Sequence, residues 1–198
     1  MPSETTAQRI YVFPYKELEL VNIQSMSKTM ILAIGGAGCN MAETIMRVAN
    51  AHWVKEATYL FADSDMEHLS ELGKKGFETL HLQRESDSFP TEKLRGVEKL
   101  YILAGLGGMT GSRFAEIAAK SAKSDGIGNV ALIVTLPFVF EGSGKLAKAT
   151  EALKSLSDMS VKVLNNEELT ERYPDINFIN AFVYSDKEAL NAIESGLL

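Results

Sequence analysis

From residue 29 onward, apolar runs and helix-spaced apolar positions take turns along the chain. The runs "TMILAIGG", "ATYLFAD", "FETLHL", "VEKLYILAG", "NVALIVTLP" and "SVKVLN" read as strands. Between and after them, "NMAETIMRVANAHW", "DMEHLSELGKK", "SRFAEIAAKSAKS", "KLAKATEALKSLS" and "DKEALNAIESGLL" read as helices. In the second helix Leu69 and Leu72 share a side, and in the last Leu190, Ile193 and Leu197 share a face. Strands alternating with helices imply βαβ units, and strands apolar on both faces imply a sheet covered on both sides. The pattern predicts an α/β fold: a doubly wound, mostly parallel sheet with helices on both faces. Residues 1–28 stand apart as an extension in which "YVFPYKELELVNIQ" alternates weakly, as an extended or edge segment would. One domain is expected over 29–198, with ligands bound outside the carboxyl ends of the strands. There the loops containing Gly35, Asp63, Gly105 and Pro137 should converge.

Composition narrows the classes without changing this picture. The net charge of −6 over 198 residues argues against a nucleic-acid or anionic-membrane surface, so a bound phosphate must be held by local geometry. The single cysteine, Cys39, excludes an intrachain disulfide and fits a reducing compartment. His52, His68 and His81 lack metal-ligand spacing, so no zinc site is expected. The first residues lack a signal-peptide pattern, and no apolar stretch approaches the about 20 residues of a membrane span. A cytoplasmic protein is expected.

Two glycine-rich turns join a strand to a helix: "GGAGCN" at 35–40 and "GLGGMTGS" at 105–112. Glycine lets backbone approach an oxygen closely, and the helix that follows adds unsatisfied N–H groups and the positive end of its dipole. Two such turns at one binding edge point to phosphate. Thr110 and Ser112 add hydroxyl donors, while Asn40 either caps its helix or reaches the ligand. The P-loop pattern is absent, since "GSGKLA" lacks both the first glycine and the following Ser/Thr. A dinucleotide fingerprint is nearer: "GAGCNM" keeps two glycines and puts Met41 at the third, with Asp63 placed to hold a ribose hydroxyl. That reading leaves the second glycine turn unexplained.

In order along the chain, "AIGGAGCN", "FADSD", "AGLGGMTGS", "TLPFVFEG" and "AFVYSDKEAL" resemble the motifs of the FtsZ/tubulin family, on its bacterial FtsZ side. The matches span residues 30–198. The resemblance implies a Rossmann-like nucleotide-binding domain for GTP or GDP, with Mg2+ accompanying the nucleotide. It implies that Gly35, Gly36, Gly38 and Asn40 line the α- and β-phosphates, with Asp63 in the turn that follows the next strand. Gly105, Gly107, Gly108, Thr110, Gly111 and Ser112 would wrap the phosphates. Glu141 would bond the ribose, Lys145 stands near a family arginine, and Asn165 matches an asparagine near the sugar or base. Phe182 would stack on guanine, and Asp186 would accept from its N1–H and amino group. An i, i+4 pair does face one way on a helix. The plainer readings are Phe182 in the core, Asp186 as an N-cap for "KEAL" and Glu141 as a solvated charge.

Three departures from the family stand out. Residues 77–95, "FETLHLQRESDSFPTEKLR", contain no glycine where the family has a further glycine-rich loop at the γ-phosphate. Met109 and Arg113 replace signature glycines. A left-handed Met109 would cost roughly 1–2 kcal/mol, and Arg113 would oppose the helix dipole by about 0.3–1 kcal/mol without an anion nearby; alternatively Arg113 points into water. The sequence also ends within the family's central helix, ahead of its catalytic acidic loop, so weak or no hydrolysis alone is expected. The leading expectation is a guanine-nucleotide-binding protein of cell division or filament modulation, associating with itself or an FtsZ-like partner. A pseudo-GTPase interaction module that binds no nucleotide is the alternative, and an NAD-binding oxidoreductase domain the third.

Overall fold

The computed structural model describes residues 28–172 and 178–196. The expected extension over 1–28, Lys28 apart, and Leu197 lie outside the described residues. The first strand, β1 (Thr29–Ile34), runs straight into α1 (Gly35–Val48), followed by the short α2 (His52–Glu56) and β2 (Thr58–Asp63). Next come α3 (Met66–Lys74), the three-residue β3 (Thr79–His81), β4 (Lys99–Gly105) and α4 (Met109–Ser124). The chain continues through β5 (Asn129–Leu136), α5 (Ser143–Ser155), β6 (Ser160–Asn165), α6 (Asn166–Arg172) and α7 (Phe178–Glu194).

The six strands pair in the order β3-β2-β1-β4-β5-β6, and every pairing is parallel. The expected doubly wound sheet is present. Alternate residues of the central strands feed two cores, because successive side chains point to opposite faces. Leu32, Ile34, Ile102 and Leu132 pack with Phe114 and Ala118 of α4 on one face. Ile31, Ala33, Tyr101 and Ile133 pack with Met41 of α1, Leu72 of α3 and Ile193 of α7 on the other. Tyr101 is fully buried and its hydroxyl donates to the Ile193 carbonyl at 3.4 Å, tying the sheet to α7. The edge strand β6 keeps Lys162 exposed between the half-buried Val161 and Val163, as expected where one face is less covered.

Each of three helices begins earlier than its apolar spacing predicts: α1 at Gly35, α4 at Met109 and α5 at Ser143. Low glycine propensity hides those first turns from a sequence reading, yet they are what shapes the sheet edge. Chain order reverses between β1 and β4, where Ile34 lies opposite Ala104. The helices that follow these two strands start side by side there. Their backbones approach so closely that a Cβ at Gly38 would lie 2.3 Å from the Leu103 carbonyl oxygen. One at Gly111 would lie 2.2 Å from the Gly105 oxygen.

Gly38→Ala should therefore destabilise the protein by about 1–3 kcal/mol or more, since α1 must lift off β4. Gly73→Ala in exposed α3, where a Cβ meets nothing within 4 Å, should stabilise it by roughly 0.5–1 kcal/mol. Urea denaturation of both variants checks the contrast; equal effects would contradict the packing described.

Candidate functional site

A cleft of about 760 Å3 opens at the switch point between β1 and β4, within the usual size of small-molecule sites. One end of it is backbone. Gly35, Gly36 and Ala37 of α1 and Gly108, Met109, Thr110 and Gly111 at the start of α4 line it together. Neither helix start is capped by a side chain. Two other helices are capped: Asp65 accepts from the Glu67 and His68 amides of α3, and Asn165 from the Glu167 amide of α6. α5 likewise has no side-chain cap, and its first turn meets the cleft through Lys145. A helix start without partners leaves N–H groups and the positive dipole end directed outward. Two of them converge here. A Cβ added at Gly36 or Gly108 meets no protein atom within 4 Å, so these glycines leave room toward the cleft that protein does not fill.

The other end of the cleft is built from side chains. Phe182 is 50% exposed, with its ring edge-on to Phe138 at 5.5 Å, which leaves an aromatic surface at the cleft and rules out the core reading. Asp186 sits inside α7 rather than before it, so it caps nothing. Burial raises its pKa above the ordinary carboxylate value, against the lowering effects of a hydrogen bond with Thr44 and the charge of Arg47. Glu141 is held rather than solvated: it accepts from the Phe138 amide and from Lys145 Nζ, both at 2.9 Å. Asn166 and Ser185, 3% and 1% exposed, also line the cleft, and Asn166 Oδ1 and Ser185 Oγ have no hydrogen-bond partner among the described residues. Buried polar atoms are rarely left so.

Of the residues expected at the site, Gly35, Gly36, Asn40, Gly105, Gly108, Thr110, Gly111, Glu141, Lys145, Phe182 and Asp186 meet in this cleft. The others are placed beside it or beneath it. Gly38 is pressed against β4. Gly107, with φ +97, donates its amide to Ser112 Oγ at 2.7 Å, so both are spent on shaping the loop. Asp63 is 5% exposed and accepts from Thr110 Oγ1, His68 Nδ1 and the Ser64 amide. It braces the Thr110 loop and lies outside the cleft lining, which does not fit a ribose ligand. Asn165 bonds Glu168 and caps α6, and the neighbouring Asn166 is the asparagine that enters the cleft. Asn40 lies a full turn into α1 and cannot be its cap.

The two substitutions in the glycine signature are also resolved. No non-glycine residue among those described has a positive φ, so Met109 is an unstrained first helical residue, 58% exposed at the cleft mouth. Arg113 turns away from the cleft and donates to Asp87 Oδ1 at 2.6 Å and to the Ser86 carbonyl at 3.2 Å. It neither opposes a ligand nor points freely into water. Cys39 is buried in α1, and burial pushes its thiol pKa up to about 12, so it is a packing residue.

No protein-family model matches the chain. It is 30% identical over 200 residues to cell division protein FtsZ 1 of Thermococcus kodakarensis, covering 90% of this chain and 52% of that protein. It is 28% identical over 193 residues to FtsZ of Mycoplasmopsis pulmonis, covering 85% and 47%. Its fold matches the empty FtsZ dimer of M. jannaschii with a TM-score of 0.70 at 26% identity, over 94% of this chain and 59% of that one. The chain carries a domain of the FtsZ/tubulin family. It spans about half the length of the curated FtsZ relatives it matches. CetZ2 of Haloferax volcanii, at 18% identity and a TM-score of 0.65, shares the fold.

In this FtsZ/tubulin-type cleft the raised pKa of Asp186 has a measurable consequence. The folded protein holds that proton more tightly than the unfolded chain, so ionised Asp186 weakens the fold at neutral pH. The penalty fades as pH falls through the raised pKa and is gone below the unfolded value of about 3.9. Asp186→Asn should therefore raise the melting temperature at pH 7, with the gain shrinking toward pH 4. A gain that grows toward pH 4 would contradict the assignment.

Proposed function

We propose that this chain binds a guanine nucleotide, GTP or GDP, in the cleft between β1 and β4. The observation that carries the reading is the pair of helix starts without side-chain caps, α1 and α4, directed into one cleft. Together they offer backbone N–H groups and two positive dipole ends to a phosphate chain. This arrangement works despite the net charge of −6 because it is local. At the other end, Phe182 offers a ring for stacking and Asp186 a carboxylate matched to the adjacent N1–H and amino donors of guanine. Desolvating that carboxylate costs stability when the cleft is empty, and two donors from a base would offset it. Asn166 and Ser185 supply polar atoms that have no partner among the described residues and that a ligand entering the cleft would satisfy.

Glu141 and Lys145 form a charged pair beside the sugar position, with Glu141 accepting from a ribose hydroxyl. Mg2+ travels with the nucleotide in this reading. Among the described residues no three His, Cys, Asp or Glu side chains converge to hold a metal by themselves. Weak or no hydrolysis by this chain alone belongs to the same reading. Activity in cell division or filament modulation, self-association or association with an FtsZ-like partner, and a cytoplasmic location complete the proposal. The FtsZ relatives support them. The unstrained Met109 and the outward Arg113 count against a module that takes no nucleotide, while the glycine-free segment 77–95 still counts for it.

Calorimetric titration of nucleotide-stripped protein with GTP, GDP, ATP and NAD tests this. Guanine-selective binding that falls about tenfold or more in Asp186→Ala is expected. Binding of none of the four at millimolar ligand would overturn the proposal, and binding of NAD alone would revive the dinucleotide alternative.

A further inference from the structure

Beside the cleft, on the side away from Phe182 and Asp186, a recess continues from the phosphate-side loops. Gly36, Asn40, Met109 and Thr110 line both spaces, and Arg84 lines the recess together with Asp63, Ser64, Asp65 and His68. The guanidinium is held by little: Arg84 Nε donates to Ser64 Oγ at 3.4 Å. Among the described residues it forms no ion pair. Three other cations near the cleft are committed, Lys145 to Glu141, Arg113 to Asp87 and Lys75 to Glu43, and Arg47 lies at the far end, where its charge acts on Asp186. The carboxylates of the recess are committed too. Asp63 accepts from Thr110, Ser64 and His68, and Asp65 caps α3.

The segment that carries Arg84 is anchored. Arg113 of α4 grips it at Ser86 and Asp87, so the loop is fastened to the helix whose amino end faces the cleft. Ser64 Oγ, the partner of Arg84, lies 2.7 Å from Thr110 Oγ1, which reaches the cleft lining. A line of polar groups thus runs from the start of α4 through Thr110 and Ser64 to Arg84. A phosphate chain seated on the two helix starts, with its base toward Phe182, would direct its outermost group into this recess.

We propose that Arg84 reads the terminal phosphate of a nucleoside triphosphate and sets the preference for triphosphate over diphosphate. This rests on the nucleotide-binding reading above and adds to it a residue that resemblance did not assign. A guanidinium presents paired N–H donors to phosphate oxygens and keeps its charge at any working pH. A diphosphate ends short of it, so Arg84 contributes to the difference between the two ligands. The segment 77–95 contains no glycine, so here the discrimination comes from a side-chain cation.

The test is the ratio of GTP to GDP affinity, measured by calorimetry on the full chain, for wild type, Arg84→Gln and Arg84→Lys, at low and high salt. A charge-assisted contact predicts a wild-type preference for GTP of about tenfold to a hundredfold. Arg84→Gln should bring the ratio close to one. Arg84→Lys should keep part of the preference, and that part should weaken with salt. A wild-type preference that survives Arg84→Gln unchanged overturns the proposal, as does an equal loss of affinity for both nucleotides. Wild-type protein that binds GTP and GDP equally also overturns it, while the nucleotide-binding reading stands. Wild-type protein that binds neither overturns both.

Discussion

Two helices start against the same pair of strand ends, and their backbones touch there. That contact governs the rest of the structure. α1 leaves β1 with no intervening loop, and Gly38 brings its first turn against the Leu103 carbonyl of β4. α4 leaves β4 through a turn in which Gly111 meets the Gly105 carbonyl. A single methyl group at either position would separate the elements. The close approach puts both amino ends at one edge of the sheet, where chain order reverses and a cleft must open. Every other feature of the site is arranged around those ends: Asp63 braces the Thr110 loop from below, Lys145 and Glu141 flank it, and α7 closes the far side.

The site is built at the expense of stability. Asp186 is partly desolvated, Asn166 and Ser185 carry buried polar atoms without partners among the described residues, and α1 and α4 begin without side-chain caps. The chain makes caps elsewhere with Asp65 and Asn165, so the same means were available. Such defects are each small, but they gather at one place. Unsatisfied groups concentrated in a cleft are what a binding site looks like before its ligand restores the hydrogen bonds.

The sheet was legible because its central strands are apolar on both faces, and periodicity reads that directly. Helix starts were not, since Gly35 and Gly36 score poorly as helix formers while the sheet edge holds them in place. α7 begins at Phe178, eight residues before the apolar spacing predicts, and only the motif "AFVYSDKEAL" marked its earlier part. The asparagine at the cleft was misplaced by one position. Asn165 and Asn166 are alike in sequence, and which one turns inward depends on which one caps α6. Gly38 belongs to a phosphate-binding pattern but acts here through packing. The Arg113–Asp87 pair joins residues from different elements, so no local pattern could have shown that Arg113 leaves the cleft. Arg84 carried no sequence signal at all. Its meaning comes from the recess around it.

The central claim is that the starts of α1 and α4 form one anion cradle. It is tested most directly by following backbone amide resonances while GDP is added. The account predicts that the largest shifts fall on the amides of Gly36, Ala37, Met109 and Thr110, which line the cleft without side-chain caps. The Ala51 amide, already held by Glu194, should stay in place. Saturating GDP that leaves the α1 and α4 starts unmoved, or that moves other regions in their stead, would contradict the account.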